Sequence, residues 1–143
     1  MRLTLLIFLC YLFTNSLHAQ NKKGVTAVQK VLLEQQEDWN TGDIDAFMKH
    51  YWKSDQLQFI GASGVTYGWQ NTLDNYKRRY PNRQAMGKLK FDILEVNQRS
   101  RKVISLVGKF YLTREEIDDL SGHFLLIFQK IKGKWKIVAD HTS

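Results

Sequence analysis

The sequence holds 143 residues, enough for one folding unit and too few for a second comparable core. With 43% hydrophobic residues, 24% charged residues and a single proline it is neither collagen-like nor disordered, and its 13% aromatic share supplies large rigid surfaces for a core or a pocket. The formal net charge of +7 attracts anions, but Glu34, Glu37, Asp38, Glu115, Glu116, Asp118 and Asp119 interrupt the positive field and no nucleic-acid motif accompanies it, so no nucleic-acid partner is expected.

Arg2 precedes the apolar run Leu3 to Phe13, and a polar stretch then ends at Ala19, the layout of a secretory signal. That run is shorter than the roughly 20 apolar residues that cross a bilayer, and no membrane span is expected. The reading is therefore a leader over 1–19, one domain over 20–143, and export to the periplasm or the medium. Cys10, the only cysteine, falls inside the leader, so the remaining chain has neither a disulfide nor a cysteine nucleophile.

From Val25 to Asn40 the residues Val25, Val28, Leu32, Gln35 and Trp39 recur at helical spacing and share one stripe. Gly42 suits the end of that helix and Asp43 can cap a second, which the pattern Ile44, Phe47, Met48 and Tyr51 carries to about Trp52. Gln56 to Gly61 and Val65 to Tyr67 read as a small hairpin. Trp69, Leu73, Tyr76 and Tyr80 then define a third helix that Pro81 stops. The basic cluster Lys77, Arg78, Arg79 and Arg83 near its end reads as solvated surface.

The rest of the chain reads as four long strands, Lys88 to Gln98, Lys102 to Thr113, Gly122 to Ile131 and Lys134 to Thr142, in an antiparallel meander. Helices first and sheet last is an α+β arrangement. Phe124, Leu126 and Phe128 alternate with His123, Leu125 and Ile127, so both faces of that strand need cover. Helices can supply one cover, and a homodimer through the outer sheet face is the simplest source of the other.

Several segments together carry a resemblance. They are Trp-Asn-x-Gly-Asp-x-Asp-Ala (Trp39 to Ala46), Phe-Ile-Gly (Phe59 to Gly61), Tyr67-Gly68-Trp69, and the terminal Trp-Lys-Ile-Val-Ala-Asp-His-Thr-Ser (Trp135 to Ser143). In this order they resemble the NTF2-like superfamily, with the DUF4440 or SnoaL-like group as the branch of greatest likeness and similarity also to the association domain of calmodulin-dependent kinase. The resemblance implies a cone-shaped, cystatin-like α+β fold, with three N-terminal helices packed on a curved antiparallel sheet around one pocket, usually as a dimer. That superfamily includes ketosteroid isomerases, polyketide cyclases, dehydratases, epoxide hydrolases and members without catalysis, so the fold leaves the reaction open.

Alternation places His141 on the strand face of Trp135, Ile137 and Ala139, and His123 with Leu125 and Ile127. If both imidazoles look inward they can act as an acid–base pair. Gln35, Trp39, Tyr51, Tyr76 and Tyr80 lie on inward helical stripes and are candidates to line a pocket and orient an apolar ligand. Asp38 falls with Glu34 on the solvent stripe, while Asp92 and Asp140 fall opposite the apolar runs of their strands, so the inward carboxylate of a ketosteroid isomerase is not expected. His50, His123 and His141 stand outside any ligand spacing, so neither a metal nor a cofactor is implied. Three functions fit. The first is binding of a small, largely apolar molecule without catalysis; the second is an isomerase-, cyclase- or dehydratase-type enzyme using His141 and His123; the third is a non-catalytic dimeric module whose interior is filled by its own aromatics.

Overall fold

The computed structural model describes the backbone of residues 2–143 and the side chains of residues 22–143. The leader read over 1–19, with Cys10, lies outside the residues whose side chains are described. Helix α1 (Arg2–Thr41) buries Val28, Leu32, Gln35 and Trp39 almost completely, as its apolar spacing predicts. Gly42, at φ +88°, lets the chain reverse after α1, with its N–H bonded back to the Trp39 carbonyl at 2.9 Å. Asp43 then caps α2 (Ile44–Met48), its carboxylate accepting from the Ala46 N–H at 2.8 Å.

Helix α2 stops well short of Trp52. The Ile137 N–H donates to the His50 carbonyl at 3.0 Å and the Trp52 N–H donates to the Ile137 carbonyl at 2.8 Å, so a strand takes the backbone groups that a longer helix would have needed. The hairpin β1 (Gln58–Gly61) and β2 (Gly64–Tyr67) leads into α3 (Trp69–Arg79), where Tyr80 ends the helix ahead of Pro81. A further short helix, α4 (Arg83–Met86), begins at the Asn82 cap.

Strands β3 (Lys88–Ser100), β4 (Val103–Thr113), β5 (Leu120–Ile131) and β6 (Lys134–Thr142) form the meander, and the six-stranded sheet runs β2-β1-β6-β5-β4-β3. One pairing departs from the expected antiparallel pattern: β1 lies parallel to β6, with Phe59 beside Asp140 and Ile60 beside His141. Register shifts interrupt β3 between Ile93 and Glu95 and the β5–β6 ladder between Ile127 and Phe128, and such bulges bend a sheet. The helices cover the concave face, where Phe124, Leu126 and Phe128 are buried. On the convex face Leu125 is 40% exposed.

Candidate functional site

The concave face and the helices do not meet in a solid core. They enclose a cavity of about 480 Å³ that opens to solvent between the hairpin tip at Ser63 and Gly64 and the end of α3 at Arg78 and Arg79. Its walls are mostly apolar, with Leu32, Phe47, Phe59, Phe91, Phe110 and Phe124 prominent among them. An interior filled by its own aromatics is therefore excluded as the general description of the cone.

Gln35, Trp39, Tyr51, Tyr76 and Tyr80 all border this space. α1 supplies Gln35 and Trp39, the segment after α2 supplies Tyr51, and α3 with its cap supplies Tyr76 and Tyr80. Rings interlock edge to face, Trp39 with Tyr80 at 4.9 Å and Phe47 with Tyr76 at 5.3 Å between centroids, which stiffens the wall. Two of the polar tips are already engaged by the protein. The Trp39 indole N–H donates to the Met86 carbonyl at 3.1 Å, and the Gln35 amide donates to the Phe47 carbonyl at 3.4 Å.

The polar pole of the cavity is a group that strand alternation had assigned to the opposite face. Asp140 is only 3% exposed; its Oδ2 accepts from the Tyr51 hydroxyl at 2.6 Å and its Oδ1 from the Thr142 hydroxyl at 2.7 Å. Tyr76 borders the same space, its ring packed edge to face on Phe47, which also touches Tyr51. Burial away from water raises the Asp140 carboxyl to about 6 even though both hydroxyl donors and the nearby His141 favour its anion. The same burial, reinforced by the charge of Asp140, pushes Tyr51 and Tyr76 well above the ordinary phenol range, so both remain donors at neutral pH. At neutral pH the Asp140 carboxyl is mostly the anion and accepts from a guest hydroxyl, and towards pH 6 a growing share is the acid and can donate to a guest carbonyl.

The expected inward orientation of His141 and His123 is not found. Leu126 pairs with Asp140 and Phe128 with Ile137, so Val138 is the extra residue of a bulge. Beyond it the parity of β6 inverts, turning Asp140 and Thr142 to the concave face and His141 to the convex one. Both imidazoles are exposed, and neither borders the cavity. Asp38 keeps about a third of its side chain exposed on its predicted stripe, and its carboxylate lies 3.0 Å from the mostly buried His50 ring. Asp92 stays on the convex side, paired with Lys90 at 2.9 Å. Among the described residues, no group of three or more His, Cys, Asp or Glu is gathered to hold a metal ion.

An NTF-2 like protein of unknown function from Shewanella oneidensis is 38% identical to this chain and superposes with a TM-score of 0.79, covering 82% of this chain and 97% of its own. The chain belongs to the NTF2-like family. Two further solved structures share the fold of this chain at identities that speak for the fold alone. A cystatin-like domain from Nostoc punctiforme is 13% identical, with a TM-score of 0.69 over 82% of this chain and 75% of that one. A ketosteroid isomerase-like protein from Erwinia carotovora is 16% identical, with a TM-score of 0.67 over 83% and 94%. No family model matches the sequence, and neither does any curated protein.

In this NTF2-like chain, the signal that could have found Asp140 was its shared parity with Thr142, two polar residues side by side on one strand face. Missing from the sequence was the bulge that turns that face inward.

The buried carboxyl gives a signed stability prediction. Asp140 titrates higher in the fold than in an unfolded chain, so between the ordinary carboxylate value and about 6 the native state holds the extra proton. Stability contributed by neutral Asp140 is thus full at acid pH and is lost as pH rises through that window, a swing on the order of 3 kcal/mol. In urea unfolding, Asp140→Asn should be more stable than the natural protein at pH 7.5, with the difference vanishing towards pH 4. A difference that does not depend on pH would contradict the assignment.

Proposed function

We propose that this protein is a small-molecule binder whose cone takes a largely apolar guest and fixes one polar group of that guest against Asp140 and Tyr51. The observation that carries the reading is the buried Asp140 carboxyl, the one buried carboxyl among the described residues, in the wall of an open and mostly apolar cavity with few convergent polar groups. Cavities of this size suit a guest of one to three fused rings. A second reading has a specific basis in the raised Asp140 carboxyl: an acid–base enzyme in which Asp140, rather than a histidine, moves the proton of an enolisable or hydroxylated substrate. The DUF4440 or SnoaL-like branch is the finer family placement we favour, on the Trp39 to Ala46 and Trp135 to Ser143 segments. We further propose an exported mature domain, on the Arg2 to Ala19 pattern.

A thermal-shift screen of neutral ketones, alcohols and phenols tests the binding role. Guests at a hundredfold excess over Kd add about 2.7 kcal/mol and should raise the melting temperature by several degrees. Leu126→Phe, which pushes a ring into the hollow, should remove the shift; a screen without hits in the natural protein would contradict the reading. Should any hit be turned over, Asp140→Asn should cut the rate at least roughly a hundredfold while His141→Ala leaves it unchanged.

A homodimer through the convex sheet face is part of the same proposal, supported by Val65 at 51%, Tyr67 at 58% and Leu125 at 40% exposure on that side. Sedimentation at micromolar concentration should give twice the monomer mass, and Leu125→Asp should give the monomer. A natural protein that sediments as a monomer would remove the dimer.

A further inference from the structure

The basic cluster read as a solvated helix end divides into two pairs with different surroundings. Lys77 Nζ lies 2.7 Å from the Asp45 carboxylate. Arg83 donates to the Trp39 and Asn40 carbonyls at 2.9 and 3.0 Å, closing the end of α1. These two cations are occupied in holding the fold. Arg78 and Arg79 are not: both border the cavity, both are exposed, and among the described residues neither forms a salt bridge.

Their contacts tie them to the mouth. Arg78 donates to the side chain of Asn75, itself a lining residue, and the Arg79 guanidinium carbon sits 5.7 Å from the centre of the Tyr80 ring. Burial raises Tyr76 and Tyr80, and the Arg79 charge partly opposes that rise, so its field reaches phenols inside the cavity. Cations in the last turn also complement the helix dipole. That accounts for their sign and leaves unexplained why two of them border the opening while Lys77 turns to Asp45.

We propose that Arg78 and Arg79 form an anion-receiving rim, so that the cavity selects amphipathic acids, whose largely apolar body carries a neutral polar group to Asp140 and whose carboxylate, sulfonate or phosphate stays outside, over neutral molecules with the same body. This rests on the ligand-binding role proposed above and specifies the class of ligand. Asp140 fixes the orientation. An acid group cannot descend to Asp140 without meeting a second carboxyl in an apolar space, so the body enters first and the charge stays at the rim, where two guanidiniums can hold it in a forked geometry. Partial exposure limits the gain to about tenfold in affinity and makes it sensitive to salt.

A matched pair of fluorescent probes separates this proposal from the one beneath it. N-phenyl-1-naphthylamine is neutral; 8-anilinonaphthalene-1-sulfonate has the same aromatic body with a sulfonate added. In titrations at low ionic strength the sulfonate should bind about tenfold tighter, and added salt should erode its advantage alone. The double variant Arg78→Gln with Arg79→Gln should bring the sulfonate down to the neutral probe and leave the neutral probe unchanged. Arg78→Lys with Arg79→Lys should recover much of the preference, which a misfolded protein would not do, and Lys134→Gln, on the turn into β6, should alter neither probe. Equal affinities in the natural protein, a preference that survives the double glutamine variant, or the same loss from Lys134→Gln would each overturn the rim while leaving the cavity as a binding site. Binding of neither probe would overturn the ligand-binding role itself, and the rim with it.

Discussion

A carboxyl group withdrawn from water into a mostly apolar hollow is the constraint around which this molecule is organised. Asp140 is tolerable there because Tyr51 and Thr142 donate to its two oxygens, and a buried carboxyl without such partners would cost several kcal/mol. Tyr51 reaches it only because the chain leaves α2 early and its backbone joins the edge of β6 at Ile137. The hydrogen bond that equips the pole therefore also ties the helical layer to the sheet. Two functions of one contact meet here, since the group that completes the architecture is also the group with titratable chemistry in the cavity.

The rest of the cone divides its labour accordingly. Interlocked rings of Trp39, Phe47, Tyr76 and Tyr80 make a rigid wall, and the indole and amide donors of Trp39 and Gln35 are spent on backbone carbonyls. Directional chemistry is thereby concentrated at Asp140, Tyr51 and Tyr76. NTF2-like membership accounts for the cone and for the existence of a hollow, and this chain's own side chains decide what can sit in it.

Much of the architecture could be read from the sequence because helical spacing reports burial directly. The stripe from Val28 to Trp39 and the stripe of α3 point where their periodicities say, and Gly42 with Asp43 marks a real junction. Strand alternation fails where a single residue is added. One bulge at Val138 exchanges the faces of everything after it, so His141, chosen for its imidazole, points outward and Asp140, discounted for its parity, points in. A pairing across 89 residues, Tyr51 with Asp140, leaves no local trace in either segment. Nor could spacing distinguish Lys77 and Arg83, which hold the fold, from Arg78 and Arg79, which border an opening that exists only once the hairpin and α3 are assembled.

The central claim is that the Asp140 carboxyl is desolvated inside the cone, and its own titration tests this most directly. With aspartate side-chain carboxyls labelled by carbon-13 and the resonance assigned by Asp140→Asn, the Asp140 signal should titrate near 6. A midpoint in the ordinary carboxylate range would mean that water reaches the group freely, and the account of the site would be wrong.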